Sequence, residues 1–256
     1  MLVASTTAST TMGKADLHLH TRVSDGMATV EQVVEYAEHQ TGMDVIAVTD
    51  HEDVAGGLRA RELAAKRNYR VQVVPGVEVT TLNGHIIALF VETAPKSFRR
   101  VESTLEMIHT LDGLAIIPHP MSWLTRSLSR RTIDRITERG EEGVAFDGIE
   151  TGNPSPAGRL TGALARHLNA RIWRLAEVGG SDAHHLAHVG TGWTEFEGCT
   201  TGDLATAIRA ASTRPGMSSY PSSREVGYGQ LAIGLAWGYT ATPRKMLRRK
   251  KGEGDS

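Results

Sequence analysis

The chain has one cysteine, no excess of either charge and no apolar run long enough to span a membrane. A lone Cys199 excludes an intrachain disulfide and a thiolate-rich zinc site. It fits a reducing compartment, so the expected location is cytoplasmic. Lysine and arginine total 28 against 29 aspartates and glutamates, which leaves no global basic field to recruit duplex nucleic acid. The first thirteen residues, rich in Ser, Thr and Ala, lack the basic start and apolar core of a secretory leader and read as a frayed tail. Neither a P-loop nor an internal repeat is found, and no Ser, His and Asp relay. Nucleotide-triphosphate chemistry by a Gly-rich loop and serine-type hydrolysis are set aside on those grounds.

What is present is an alternation of short apolar runs with helical patterns. Ala15–His20 alternates as a strand does, and Thr29 stands as an N-cap before Val30, Val33, Val34 and Ala37 at helical spacing. Strands are expected at 45–48, 71–79, 84–91, 113–118, 146–151 and 174–180, and helices at 58–68, 97–111, 129–139, 157–168 and 201–211. Pro75-Gly76 suggests a bulge or bend in its strand near the site, and Leu82-Asn83-Gly84 a hairpin turn. This order predicts an α/β fold, a parallel sheet or (β/α) barrel, in which sites gather at the C-terminal ends of strands. Residues 14–215 form the predicted barrel domain, with a tail at 1–13 and an extension at 216–256. That extension has an apolar stretch, Leu231–Trp237, and a basic end, Arg244, Lys245, Arg248, Arg249, Lys250 and Lys251. It reads as a helix packed on the body with a solvated basic end, or as a surface helix touching anionic lipid or a partner.

Six clusters carry groups that bind metal: Asp16-Leu17-His18-Leu19-His20, Ser24-Asp25-Gly26, Thr49-Asp50-His51, Glu78 with His85, Pro118-His119-Pro120, and Ser181-Asp182-Ala183-His184. Of eleven histidines, seven lie in or beside them. His18 and His20 are two apart on a strand and share a face, and Asp182 and His184 repeat that spacing far away. Glu78 has two oxygens with which to bridge two ions. Nine donors, His18, His20, Asp25, His51, Glu78, His85, His119, Asp182 and His184, exceed what one tetrahedral ion needs, so two or three divalent ions are expected. Imidazole with carboxylate and no thiolate suits zinc, manganese or iron. Such ions lower the pKa of a bound water and neutralise phosphate oxygens.

The ordered set, from Lys14 to Glu197, resembles the polymerase and histidinol phosphatase (PHP) family of metal-dependent phosphoesterases. The resemblance implies a distorted (β/α)7, TIM-like barrel with a trinuclear centre. It implies one ion held by His18, His20, Glu78 and Asp182, a second by Glu78, His85 and His119, and a third by Asp25, His51 and His184. A hydroxide bridging two ions would attack phosphorus in line, with Asp182 as proton acceptor and His20 and Glu78 holding the ion that positions it. The Ser24-Asp25-Gly26 form is similar to the branch acting on nucleotide 3′,5′-bisphosphates or short RNA. The expected partner is therefore a small phosphorylated substrate, a nucleotide or a short single-stranded oligonucleotide. Only 33 residues separate His85 from His119, enough for a strand and one helix but not for a lid-like insertion.

The neighbours of these clusters read in more than one way. Asp16 and Asp50 are outer groups that orient imidazoles, or caps of strand ends. Arg22 is a phosphate-gripping guanidinium or a solvated loop residue. Arg126, Arg130 and Arg131 with Trp123 would bind a second phosphate and stack on a base, or form an ordinary helix surface. Asn153 follows a strand end and is placed to face the site. His185 and His188 miss the two-residue spacing from Asp182, and His39, His109 and His167 fall in helices. Rival functions are a histidinol-phosphate or sugar phosphomonoesterase, a C–N hydrolase, and a non-catalytic scaffold of the same fold.

Overall fold

The computed structural model describes residues 11–222 and Val226. The strands are β1 (Met12–Leu19), β2 (Val45–Val48), β3 (Gln72–Thr80), β4 (His85–Leu89), β5 (Leu114–Ile117), β6 (Gly148–Gly152), β7 (Ala176–Gly179), β8 (Gly192–Glu197) and β9 (Arg214–Met217). The helices are α1 (Val30–Gln40), α2 (Ala55–Lys66), α3 (Val101–Thr110), α4 (Arg130–Arg139), α5 (Pro156–Leu168) and α6 (Thr201–Arg209). The strands form one sheet in the order β7-β6-β5-β4-β3-β2-β1-β8-β9.

Local sequence explains the elements. Thr29 closes a capping box with Gln32, and Val30, Val33, Val34 and Ala37 form the buried stripe of α1. Ser129 and Ser155 cap α4 and α5 with their hydroxyls. Strand β2 is buried at all four positions, as expected where helices cover a parallel sheet. Strands β1, β2 and β3 are parallel, as are β5, β6 and β7, and β4 runs against both neighbours. That reversal follows from the predicted hairpin. Gly84 supplies φ +146, and a Cβ there would meet the Leu128 nitrogen at 2.6 Å.

The sheet curls until its ends meet. The Gly179 nitrogen donates to Thr194 Oγ1 at 2.8 Å, so β7 touches β8 across a seam without a strand ladder. A Cβ on Gly179 would lie 2.2 Å from the Trp193 carbonyl oxygen, so only glycine permits this approach. Just above it, the His20 nitrogen donates to the Ala183 carbonyl at 2.9 Å. The result is a nearly closed barrel. One apolar cluster contains Leu17, Val45, Ala47, Ile87, Ile116, Val178 and Phe196 and includes Leu204 and Ile208 of α6. Two others pack α1 and α2, and α3 to α5, against the sheet.

Three details depart from expectation. β3 is continuous, with no irregularity at Pro75-Gly76; Pro75 pairs with Val48 and Gly76 with Leu89. The register shifts instead between Asp16 and Leu19 in β1 and between Glu150 and Gly152 in β6. In β1, Leu17 belongs to the cluster with Phe196 and Leu19 to the one with α1. A one-residue slip sends later side chains to the other face, which turns this strand end toward the site. The strands β8 and β9, and a π-helical turn at Asn169–Trp173, were not anticipated. Most of the predicted C-terminal extension lies outside the described residues.

Phe196 is fully buried on β8 beside α6. Phe196→Ala should therefore lower unfolding free energy by roughly 3–5 kcal/mol, whereas Met107→Ala, exposed on α3, should change it by less than about 0.5 kcal/mol. Urea titration of both variants checks this.

Candidate metal centre

His18 and His20 stand at the end of β1, Asp25 in the loop before α1, and His51 just after β2. Glu78 lies on β3, His85 opens β4, His119 follows β5, and Asp182 and His184 follow β7. All nine predicted donors converge. They form four overlapping groups whose ligand atoms lie within 4.8 Å of one another: His20, Asp25, His51 and His184; His18, Glu78 and His119; His18, His20 and Asp182; and His51, Glu78 and His85. The groups share members, as the sets implied by the resemblance share Glu78. His20 also stands with Asp25, and His51 with Glu78 and His85.

Glu78 is the hub. Its Oε1 is 2.7 Å from His85 Nδ1 and 3.1 Å from His119 Nε2. Its Oε2 is 3.3 Å from His18 Nε2, 3.4 Å from His20 Nε2 and 3.4 Å from His51 Nδ1. Asp182 Oδ1 lies 3.5 Å from both His18 Nε2 and His20 Nε2. Asp25 Oδ2 lies 3.2 Å from His184 Nε2 and 3.6 Å from His51 Nε2. Two donors sit on left-handed backbone, His119 at φ +28 and Asp182 at φ +53, the kind of strain that persists only where surrounding structure enforces it.

Burial works against ionising Glu78, Asp25 and Asp182, yet the surrounding imidazoles outweigh it and hold all three below the usual carboxylate range. Burial, with His20 and His85 adding to it, pushes His51 down to about 4, which leaves its ring neutral. At His184 burial opposes protonation, but Asp25 and Asp182 prevail and raise it to about 10. The pocket thus gathers acids that demand positive charge.

The donors fit divalent ions by a second test. His20 Nδ1 and Nε2, His51 Nδ1 and His85 Nδ1 are buried and make no well-directed hydrogen bond among the described residues, although a carboxylate oxygen lies 2.7–3.6 Å from each. A buried polar atom without a partner costs roughly 1–3 kcal/mol. Cation coordination removes that penalty, and imidazole with carboxylate suits zinc, manganese or iron.

The supporting residues hold the loops that follow strand ends. Asp50 accepts from the Thr21 nitrogen (2.8 Å) and hydroxyl (2.6 Å) and from the Ser24 hydroxyl (2.6 Å), so it shapes the loop carrying Asp25. Asp16 accepts from the Ser181 hydroxyl at 2.6 Å and the Gly190 nitrogen at 2.8 Å, and so fixes the loop carrying Asp182. Both orient loops, and neither carboxylate contacts an imidazole. Arg22 is exposed, with Nε donating to the Met27 carbonyl at 2.9 Å. Trp123 is 77% exposed, and the Arg126 guanidinium lies 5.9 Å from the Phe98 ring. Arg130 pairs with Asp134 on α4. His185 and His188 are buried against each other, and His188 stacks on Tyr220. His109 pairs with Asp147 at 3.0 Å. Sequence reasoning missed Glu150, which lies buried 3.1 Å from His18 Nδ1. The available signal was an acid inside a short apolar strand.

A model of the PHP domain matches residues 16–178, and one described as PHP-associated matches residues 167–213. The chain belongs to the PHP domain family. It is 34% identical over 152 residues to an uncharacterized protein of Methanocaldococcus jannaschii, covering 55% of this chain and 81% of that one. It is 43% identical over 164 residues to the phosphoribosyl 1,2-cyclic phosphate 1,2-diphosphodiesterase of Eggerthella lenta. That match covers 61% of this PHP chain and 53% of the diphosphodiesterase, so the chain spans about half of that relative's length. Among solved structures, a two-domain protein from Bacteroides vulgatus, described as containing a predicted PHP-like metal-dependent phosphoesterase, superposes with a TM-score of 0.65 at 19% identity. The superposition covers 81% of this chain and 65% of that one, and shows the shared fold.

If the donors bind ions only when folded, added Mn²⁺ or Zn²⁺ should raise the midpoint of thermal unfolding, by about 2.7 kcal/mol of stabilisation at a hundredfold excess over Kd. Glu78→Ala, which removes the hub, should abolish most of that shift; differential scanning fluorimetry with and without metal decides.

Proposed function

We propose that this chain is a metal-dependent phosphoric ester hydrolase. The observation that carries the reading is the convergence of nine donors, five of them buried and four partly so, with three ionised carboxylates and four imidazole nitrogens that make no well-directed hydrogen bond among the described residues. Bound divalent ions would supply a water of lowered pKa and neutralise the phosphoryl oxygens. Glu78, His18, His20, His85, His119 and Asp182 are the residues to hold the inner ions, and Asp25, His51 and His184 the outer one. The inner imidazoles are sealed, while the side chains of Asp182, Asp25 and His51 keep some exposure and His184 is 35% exposed, so a phosphoryl group enters from that side. The proton-acceptor role for Asp182 follows the resemblance, and its neighbours keep it in the ionised form that can accept. Its Oδ1 faces His18 and His20, and its Oδ2 accepts from Ser155 Oγ at 3.3 Å.

The substrate class we favour is a small phosphorylated ribose, a nucleoside 3′,5′-bisphosphate or a short single-stranded oligonucleotide. Supporting it are the Ser24-Asp25-Gly26 loop and an exposed aromatic and basic rim. The rim loop of Trp123 and Arg126 is tied to the site through the Arg126 carbonyl, which accepts from the His85 nitrogen at 2.7 Å, and through Ser127 Oγ, 2.8 Å from His119 Nδ1. Trp123 can stack on a base, and Arg126 and Arg22 can bind a second phosphate. A second reading, a cyclic or open sugar-phosphate ester, is favoured by the 43% identity to the diphosphodiesterase.

The test is a screen of the manganese- or zinc-loaded protein. It should contain nucleoside 3′,5′-bisphosphates, dinucleotides, phosphoribosyl esters, histidinol phosphate and a generic phosphodiester. Turnover of a phosphoester, lost on chelation and regained with metal, is expected. His18→Ala or Asp182→Ala should lower it at least about 10³-fold, since each removes a donor from the inner ions. A metal-loaded protein inert on every phosphoester points to a scaffold, and one active only on amides or lactams to C–N hydrolysis.

A further inference from the structure

Glu150 is buried on β6, and among the described residues its only ion pair is with His18. Two N–H groups and one imidazole nitrogen aim at its carboxylate. Oε1 lies 3.1 Å from His18 Nδ1, and Oε2 accepts from the His119 backbone nitrogen and from Asn153 Nδ2, both at 2.7 Å. The Asn153 amide is itself oriented, because its Oδ1 accepts from the Ser155 nitrogen at 2.8 Å. On its other edge the His18 ring turns Nε2 toward Glu78 and Asp182. The arrangement needs space that only glycine leaves. A Cβ at Gly180 would lie 2.6 Å from His18 Cβ and 2.7 Å from Glu150 Oε1.

We propose that Glu150 is a positioning residue. Its carboxylate holds the His18 proton on Nδ1, so that Nε2 presents a lone pair to the ion, and it anchors the left-handed backbone of His119. The proposal rests on the metal-centre reading above. A carboxylate behind a ligating imidazole fixes the tautomer and ring orientation, and losing such a partner typically weakens metal affinity or activity 10–100-fold.

The isosteric substitution is the informative one. In Glu150→Gln, the amide must satisfy two fixed donors, the His119 nitrogen and Asn153 Nδ2, with its single oxygen. Its NH₂ then faces His18 Nδ1 as a donor, which drives the His18 proton to Nε2, the edge meant for metal. A residue that merely filled space would tolerate this change.

The experiment compares wild type, Glu150→Gln and Glu150→Ala by calorimetric titration with Zn²⁺, metal content after dialysis, thermal midpoint, and long-range ¹⁵N–¹H spectra of the histidines in zinc-loaded protein. Wild type should show His18 protonated at Nδ1 and bound through Nε2. Glu150→Gln should bind zinc about 10–100-fold more weakly with its metal-free unfolding midpoint close to wild type, and Glu150→Ala should also bind more weakly. Wild-type zinc affinity in Glu150→Gln, or His18 bound through Nδ1 in the native protein, would overturn the role of Glu150 and leave the metal centre standing. Absence of zinc uptake by wild type itself would remove the centre and this proposal together.

Discussion

Three carboxylates and six imidazoles packed into one buried space form the constraint around which the chain is arranged. Glu78, Asp25 and Asp182 stay ionised away from water only because positive charge lies close by. Without bound ions, protons on neighbouring rings such as His184 provide that charge. Each proton occupies a lone pair that a metal ion would use, so metal and proton compete for the same atoms. Replacing the group with apolar residues would remove this tension at no loss of packing. That it is kept argues for chemistry.

The barrel solves the placement problem with few devices. Parallel strands deliver His18, His51, His119 and Asp182 to one end. The antiparallel β4 breaks the regular pattern so that Glu78 and His85 lie at the same rim, with Thr80 paired to His85. The register shift in β1 turns its end, and the one in β6 falls at Glu150. Behind the donors lies a polar scaffold. Asp50 and Asp16 each hold a donor-bearing loop, and Ser155, Asn153 and Glu150 form a hydrogen-bonded path from Asp182 back to His18.

Much of this was legible from residues alone. Histidines spaced by two, and acids just past apolar runs, carry a chemical signature that needs no coordinates, and strands such as Val45–Val48 announce themselves by β-branching. What could not be read was set by tertiary contact. Glu150 is one acid in a short strand until the fold puts His18 across from it, 132 positions earlier in the chain. Asp16 and Asp50 sit next to donors in sequence, which left open whether they orient the rings or cap strand ends; their partners are hydroxyls and backbone amides of loops. Of the bulge or bend expected at Pro75-Gly76, no bulge formed: the ladder to β2 runs to Pro75 and the ladder to β4 begins at Gly76, neither with a register shift. Strand β8 alternates in burial, but its short run lacked the apolar density of its neighbours.

The contact between β1 and the segment after β7 has a consequence for how the molecule is made. Asp16 grips Ser181 across 165 positions, a contact of very long sequence separation. Loop-closure entropy makes such contacts late events in folding. The two donor groups that contain Asp182 or His184 therefore need the segment that follows β7. The full set of nine donors is assembled only when the ring closes.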